Sequence, residues 1–230
     1  MSLTNIFPLS LYNSKIELSE IERNKLVKYI LACKSSGSHN RYKENTFAWT
    51  GDQEGHGDIH NQEIFQNLFV EIKNKVLDYL DLLFIDYTQF DIYFQRSWAT
   101  ISHSKEFIGR HSHMQSHLSF AYYLKKNQND SKIIFWDTNK ANEFIPELFD
   151  SPTIRAKKII KKKDLCNSSK ATIEPKEGDI IIFPSKTFHS TEQNKENSER
   201  ISISADISFI AKNQSFLEHL TPPFLNWKKF

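Results

Sequence analysis

The chain changes hydrophobic period about a third of the way along. In the first part apolar positions recur at helical intervals, at Ile21, Leu26, Tyr29 and Ile30, then at Ile64, Leu68, Ile72, Val76 and Tyr79. Such spacing lays an apolar stripe along one side of a helix. Ser19 followed by Glu22 has the spacing of a capping box, so a first helix is expected to run to about Cys33. A second helix should carry the Ile64–Tyr79 stripe, and both read as structural. The segment between them, "SSGSHNRYKENTFAWTGDQEGHGDIHNQ", is rich in Gly, Ser, Asn and Asp and reads as loop.

From about Phe90 the pattern becomes β. "FDIYFQRSWATIS", "HLSFAYYL", "SKIIFW", "PTIRAKKII", "KATIEP", "DIIIFP" and "RISISADISFI" are short, rich in branched and aromatic residues, and separated by polar loops. In the last of them Ile201, Ile203, Ala205 and Ile207 oppose Ser202, Ser204, Asp206 and Ser208, so one face is apolar and the other polar. Strands at this spacing predict a sandwich or a barrel-like double sheet open at one end. The preceding helices should pack on one outer face, giving an α+β fold that is mainly β. A chain of 230 residues fits one domain, with a helical part over 1–88, a β core over 89–212 and a tail over 213–230.

Composition removes several classes. Basic and acidic residues are nearly balanced, 30 against 28, so no nucleic-acid or membrane partner is expected. The lysines at 157, 158, 161, 162 and 163 are interrupted by Ile159 and Ile160 and read as a solvated loop or strand edge. Two cysteines, Cys33 and Cys166, give neither a disulfide framework nor a CxxC pair. With no leader pattern at the start and no run of membrane-spanning length, the expected location is cytoplasmic, and the sequons at Asn129, Asn167 and Asn213 are then chance.

The candidate chemistry lies in "RHSHMQSHLSFAYYL", where His111 and His113 are two residues apart at the mouth of a strand. In extended chain both imidazoles point the same way and can serve one ion. A distant third partner is offered by His189, just beyond the strand that Pro184 stops. Three protein ligands with an open face suit a non-haem iron centre, whereas zinc takes the same histidines in a tetrahedral set. Arg200 and Ser202 share a face of the last strand, so a guanidinium fork and a hydroxyl can grip a carboxylate together. An open metal face beside a carboxylate clamp describes 2-oxoglutarate as co-substrate, and Tyr122 or Tyr123 could add a phenol to the same carboxylate.

These two stretches, "HSHMQSHLSFAYYL" and "GDIIIFPSKTFHSTEQNKENSERISISADISF", resemble the Fe(II)/2-oxoglutarate-dependent oxygenases, within them a small group with HxHxxSxLSGxYYL-like and FPSxxxH...RxSxS-like motifs. "IFPLSLY" and "FAWTG" extend the likeness towards the start. The resemblance implies a double-stranded β-helix (jelly-roll, cupin-like) core, His189 as distal ligand, and Arg200 with Ser202 as the 2-oxoglutarate site. It also implies Fe(II), O2 and ascorbate as an auxiliary reductant. The expected reaction is hydroxylation of an unactivated C–H bond of a small molecule or peptidyl residue, with succinate and CO2 released. Phe120 stands where glycine is usual and Met114 where proline is common, and both are expected to shape the substrate pocket.

The usual second ligand is a carboxylate, and here the position holds His113. Three histidines are one ligand set; others leave His113 to touch substrate, let water complete the set, or bring in Asp137. A halide-binding centre is a further variant, although it normally carries a small residue at that position. His39, His56, His60, His103 and His219 read as surface or hydrogen-bonded residues, His117 as the same or as a residue pointing into the site, and Trp98 and Trp136 as core or pocket wall. Loops over 39–60 and 138–170 are candidate lids. The competing class is a catalytically silent, or differently metallated, cupin-like metabolite binder, which would be free to lose any of His111, His189 and Arg200.

Overall fold

The computed structural model of the protein describes residues 4–36, 47–128, 131–212 and 219–230. Expectations for His39, Asn129 and Asn213, and for part of the 39–60 loop, lie outside the described residues.

Nine strands and three α-helices order the described chain: β1 (Tyr12–Lys15), α1 (Glu20–Ser36), β2 (Trp49–Thr50), α2 (Gln66–Leu82), β3 (Phe90–Ser102), β4 (Leu118–Lys125), β5 (Ile133–Trp136), α3 (Pro152–Ala156), β6 (Lys170–Ile173), β7 (Asp179–Pro184), β8 (His189–Thr191) and β9 (Arg200–Ala211). The capping box at the head of α1 is formed. The Glu22 backbone N–H donates to Ser19 Oγ at 3.2 Å, and the Ser19 N–H donates to Glu22 Oε2 at 3.1 Å. Leu68, Ile72, Val76 and Tyr79 are buried along α2, as the periodicity predicts, while Ile64 precedes the helix and is 40% exposed.

The strands form a six-stranded antiparallel sheet in the order β1-β7-β4-β9-β3-β2, facing a three-stranded sheet β6-β5-β8. This is the jelly-roll, double-stranded β-helix arrangement, and its larger sheet is covered on both faces. On one side Ile201, Ile203, Ala205 and Ile207 of β9 join Phe120 and Tyr122 of β4 and the buried stripes of α1 and α2 in the main core. Burying large aliphatic and aromatic side chains stabilises by about 1.5–3 kcal/mol each, so this face fixes the sheet. On the other side Tyr123, Ile181 and Phe183 meet Ile133 and Phe135 of β5 in a small second core. The rest of that polar face lines a cavity.

A bulge in β3 decides what faces the cavity. Phe94 pairs with Ile207 and packs in the main core; the register then shifts, and Arg96 pairs with Asp206 on the opposite face. One extra residue reverses the alternation. Arg96, Trp98, Thr100 and Ser102 therefore stand opposite Asp206, Ser204, Ser202 and Arg200. Gly178, at φ +85°, makes the turn into β7, where a Cβ would lie 3.2 Å from the Ile16 carbonyl.

Several expectations are corrected. "PTIRAKKII" is not a strand: Pro152 sits in the first turn of the short α3, and the following lysines are exposed in turns. Strands β1, β2 and β8 were not anticipated. Among the described residues no helix is long and apolar enough to cross a membrane. Cys33 and Cys166 are free thiols.

Candidate metal centre

Backbone pairing brings the histidines together. His111 and His189 exchange both main-chain hydrogen bonds, at 3.0 and 2.8 Å, as a directly opposed antiparallel pair. Two residues on, the His113 N–H donates to the Ser185 carbonyl at 2.9 Å, which keeps the segment extended alongside the β7–β8 turn. The side chains of His111, His113 and His189 then converge, with one potential ligand atom from each within 4.8 Å of the others.

Each ring has one nitrogen committed. His111 Nδ1 donates to the Gly109 carbonyl at 2.9 Å, and His189 Nδ1 to the Thr187 carbonyl at 2.9 Å. His113 Nδ1 donates to Asp206 Oδ1 at 2.5 Å. Because a carbonyl can only accept, the proton of a neutral imidazole is held on Nδ1 and the lone pair is left on Nε2. His113 Nε2 is buried with no hydrogen-bond partner. A buried polar atom without a partner costs about 1–3 kcal/mol, and a cation among three Nε2 lone pairs removes that cost, so the donor set fits a metal ion. Burial pushes the His189 imidazole down to about 3, with His111 adding to the effect; burial also lowers His111. Both rings are thus held in the neutral form that a metal requires.

Its place on the polar face of the last strand would let Asp206 meet solvent, but the structure buries it fully. Its carboxylate accepts from His113, from Arg96 Nε, from Gln115 Nε2 at 3.0 Å, and from Ser116 and Ser119 hydroxyls at 3.2 and 3.3 Å. Burial alone would raise its pKa; bonding to His113 and Arg96 wins and holds it at about 2. Arg96 also reaches Asp52 at 3.2 Å. Trp98 stacks on the His113 ring, centroids 5.6 Å apart and planes 21° apart. The one legible signal for Asp206 was its place on the same face as Arg200 and Ser202.

The histidines open into a cavity of about 560 Å³ whose lining includes Arg200, Ser202 and Tyr123. Arg200 is 1% exposed; Nη2 donates to Ser102 Oγ at 2.9 Å and Nη1 to Ser131 Oγ. Tyr123 pairs across the ladder with Ser202, one step from Arg200 along the cavity face. Burial pushes the Tyr123 phenol up to about 12, with Arg200 pulling the other way. Ala121 and Ser204, small side chains opposite one another, leave room between the histidines and Arg200.

Other expectations are displaced. Tyr122 points into the main core, where its hydroxyl donates to the Ile16 carbonyl at 3.3 Å, so it is not part of the cavity. Asp137 is exposed beyond the end of β5 and accepts the Asn139 N–H at 2.9 Å; it does not join the histidine cluster. The Phe120 ring packs against Phe69 of α2 in the main core while Phe120 also lines the cavity, whereas Met114 is 79% exposed and lies outside the lining. His117 accepts the Phe209 N–H and ties β4 to β9. Of the two loops, 47–53 contributes a cavity wall, and 138–170 contributes none of its lining.

The fold and its open cluster of imidazoles define a jelly-roll protein with a candidate metal centre. Residues 96–206, which contain the three histidines, Arg200, Ser202 and Tyr123, match the family model described as "Putative 2OG-Fe(II) oxygenase". The resemblance to the Fe(II)/2-oxoglutarate oxygenases thus holds in sequence over residues 96–206, and that family is described by its use of Fe(II) and 2-oxoglutarate.

Solved structures share the fold over most of the chain. A Pseudomonas putida prolyl-4-hydroxylase is 12% identical, with 87% of this chain and 92% of that one covered at a TM-score of 0.53. The 2-oxoglutarate-dependent carbocyclase SnoK of nogalamycin biosynthesis is 13% identical, covering 86% and 79% at 0.55. HygX from Streptomyces hygroscopicus, crystallised with nickel and 2-oxoglutarate, is 9% identical, covering 91% and 85% at 0.53. No curated protein matches the chain.

Proposed function

We propose that this protein is an Fe(II)- and 2-oxoglutarate-dependent oxygenase that hydroxylates a C–H bond of a small molecule or peptidyl residue. The observation that carries the reading is the pairing, in one cavity, of three Nδ1-anchored imidazoles with the buried guanidinium of Arg200. His111, His113 and His189 would hold the metal through Nε2. Arg200, Ser202 and Tyr123 would receive the far carboxylate of 2-oxoglutarate, the guanidinium through a charged fork and the hydroxyls through single hydrogen bonds. Trp98, Ile108, Ile133 and Phe183 wall the cavity and exclude water from the reacting groups.

Fe(II) with 2-oxoglutarate supplies oxygen activation: the 2-oxo acid is decarboxylated to succinate and CO2, one oxygen atom of O2 enters succinate and the other the substrate. The protein's part is to hold donors, co-substrate and target in register. The test is succinate release from 2-oxoglutarate by purified protein with Fe(II), ascorbate and air, including turnover without a primary substrate. Succinate above the iron-only background, absent in His189→Gln, is expected. Iron-loaded protein that neither turns over nor binds 2-oxoglutarate would leave the metabolite-binding alternative.

A further inference from the structure

The three-histidine donor set has no charge of its own, and a carboxylate lies directly behind one of its rings. Among the described residues Asp206 is the acidic group hydrogen-bonded to a candidate ligand. Its Oδ1 takes the Nδ1 proton of His113 at 2.5 Å, on the side of the ring opposite the buried, unpartnered Nε2. The geometry is fixed from both sides. Trp98 lies flat on the His113 ring, and the Asp206 carboxylate is clamped by Arg96, Gln115, Ser116 and Ser119. The β3 bulge places Arg96 opposite Asp206, so the clamp depends on a defined feature of the fold.

We infer that Asp206 is a positioning residue that acts on the metal through His113, returning to the centre, one imidazole removed, the negative charge that the all-histidine set lacks. Held this way, His113 is restricted to the Nδ1–H tautomer, its Nε2 lone pair is aimed at the cluster, and the carboxylate makes it a stronger donor. This deepens the function proposed above and rests on His113 being a ligand. The other two rings donate to neutral carbonyls, so His113 is the donor set apart by charge.

The test uses the full chain and Co(II), which needs no oxygen chemistry, with affinity read by calorimetry and coordination by the visible spectrum. Asp206→Asn keeps the shape but can present an amide N–H to Nδ1, which turns the ring to the wrong tautomer. Co(II) affinity is expected to fall about 10- to 100-fold with an altered visible spectrum, the usual cost of losing such a partner. If His189→Gln loses Co(II) while Asp206→Asn keeps wild-type affinity and spectrum, the inference is overturned and the proposed function stands. If His189→Gln also binds as wild type does, the metal-centre reading itself fails. Should Asp206→Asn not fold, wild-type protein with 15N-labelled histidine and Zn(II) decides. A strongly downfield Nδ1–H on His113, assigned by its loss in His113→Asn, supports the inference; metal on Nδ1 or a proton on Nε2 overturns it.

Discussion

His189 sits neutral in the fold because burial holds its imidazole near 3, against an ordinary value of 6.5. A depressed histidine pKa means that the unfolded chain binds the proton more readily. Its contribution to stability is therefore complete above about pH 6.5 and is lost as pH falls towards 3, at up to about 1.4 kcal/mol per pH unit. In metal-free protein the urea midpoint should drop between pH 7 and 5, and His189→Gln should drop less over the same range. Equal slopes would contradict that assignment. The two neighbouring tyrosines give a second discrimination. Tyr123→Phe removes a cavity hydroxyl and should weaken 2-oxoglutarate binding to metal-loaded protein about three- to tenfold. Tyr122→Phe should leave that affinity unchanged, since its hydroxyl meets Ile16 in the main core. Period-two alternation places Ser202, Ser204 and Asp206 on Arg200's face, and the structure keeps them there. What alternation does not carry is a contact across 93 residues, and so the partnership of Asp206 with His113 was invisible in the sequence.

Elements divide the work between stability and site. The helices α1 and α2 cover the apolar face of the large sheet and contribute no residue to the cavity lining. Ser19→Ala removes the reciprocal cap of α1 and should cost about 0.5–2 kcal/mol in a urea unfolding curve, with 2-oxoglutarate affinity unaltered. A change in affinity as large as that from Tyr123→Phe would mean that α1 is coupled to the site. Long periodic segments were legible: α1, α2, β3, β4, β7 and β9 all lie where their patterns put them. Of the short ones, β5 and β6 were legible, but β1, β2 and β8 were not. β2 and β8 span two and three residues, too few for a period to register, and are held by pairing with β3 and β5. In "PTIRAKKII" branched residues suggested a strand, but Pro152 opens a helical turn and no partner strand is offered. The bulge after Phe94 has no signature in the sequence, although it sets the orientation of Arg96, Trp98 and Thr100.

Across the whole molecule, two distant stretches of chain build one centre because the sheets face each other. His111 and His113 come from the segment before β4, His189 from β8 of the small sheet, and Arg200 from the first residue of β9 in the large one. The candidate metal donors and the guanidinium thus meet only in the folded chain. Anaerobic titration of 2-oxoglutarate into Fe(II)-loaded protein, followed by its visible charge-transfer absorption, examines that meeting directly. Saturable binding of one equivalent is expected in wild type, with no signal in His189→Gln. In Arg200→Ala, metal should be retained and 2-oxoglutarate affinity should fall by at least about 30-fold, the effect of truncating one side of a buried charged pair. Binding unchanged in both variants would contradict a shared centre of the three histidines and Arg200.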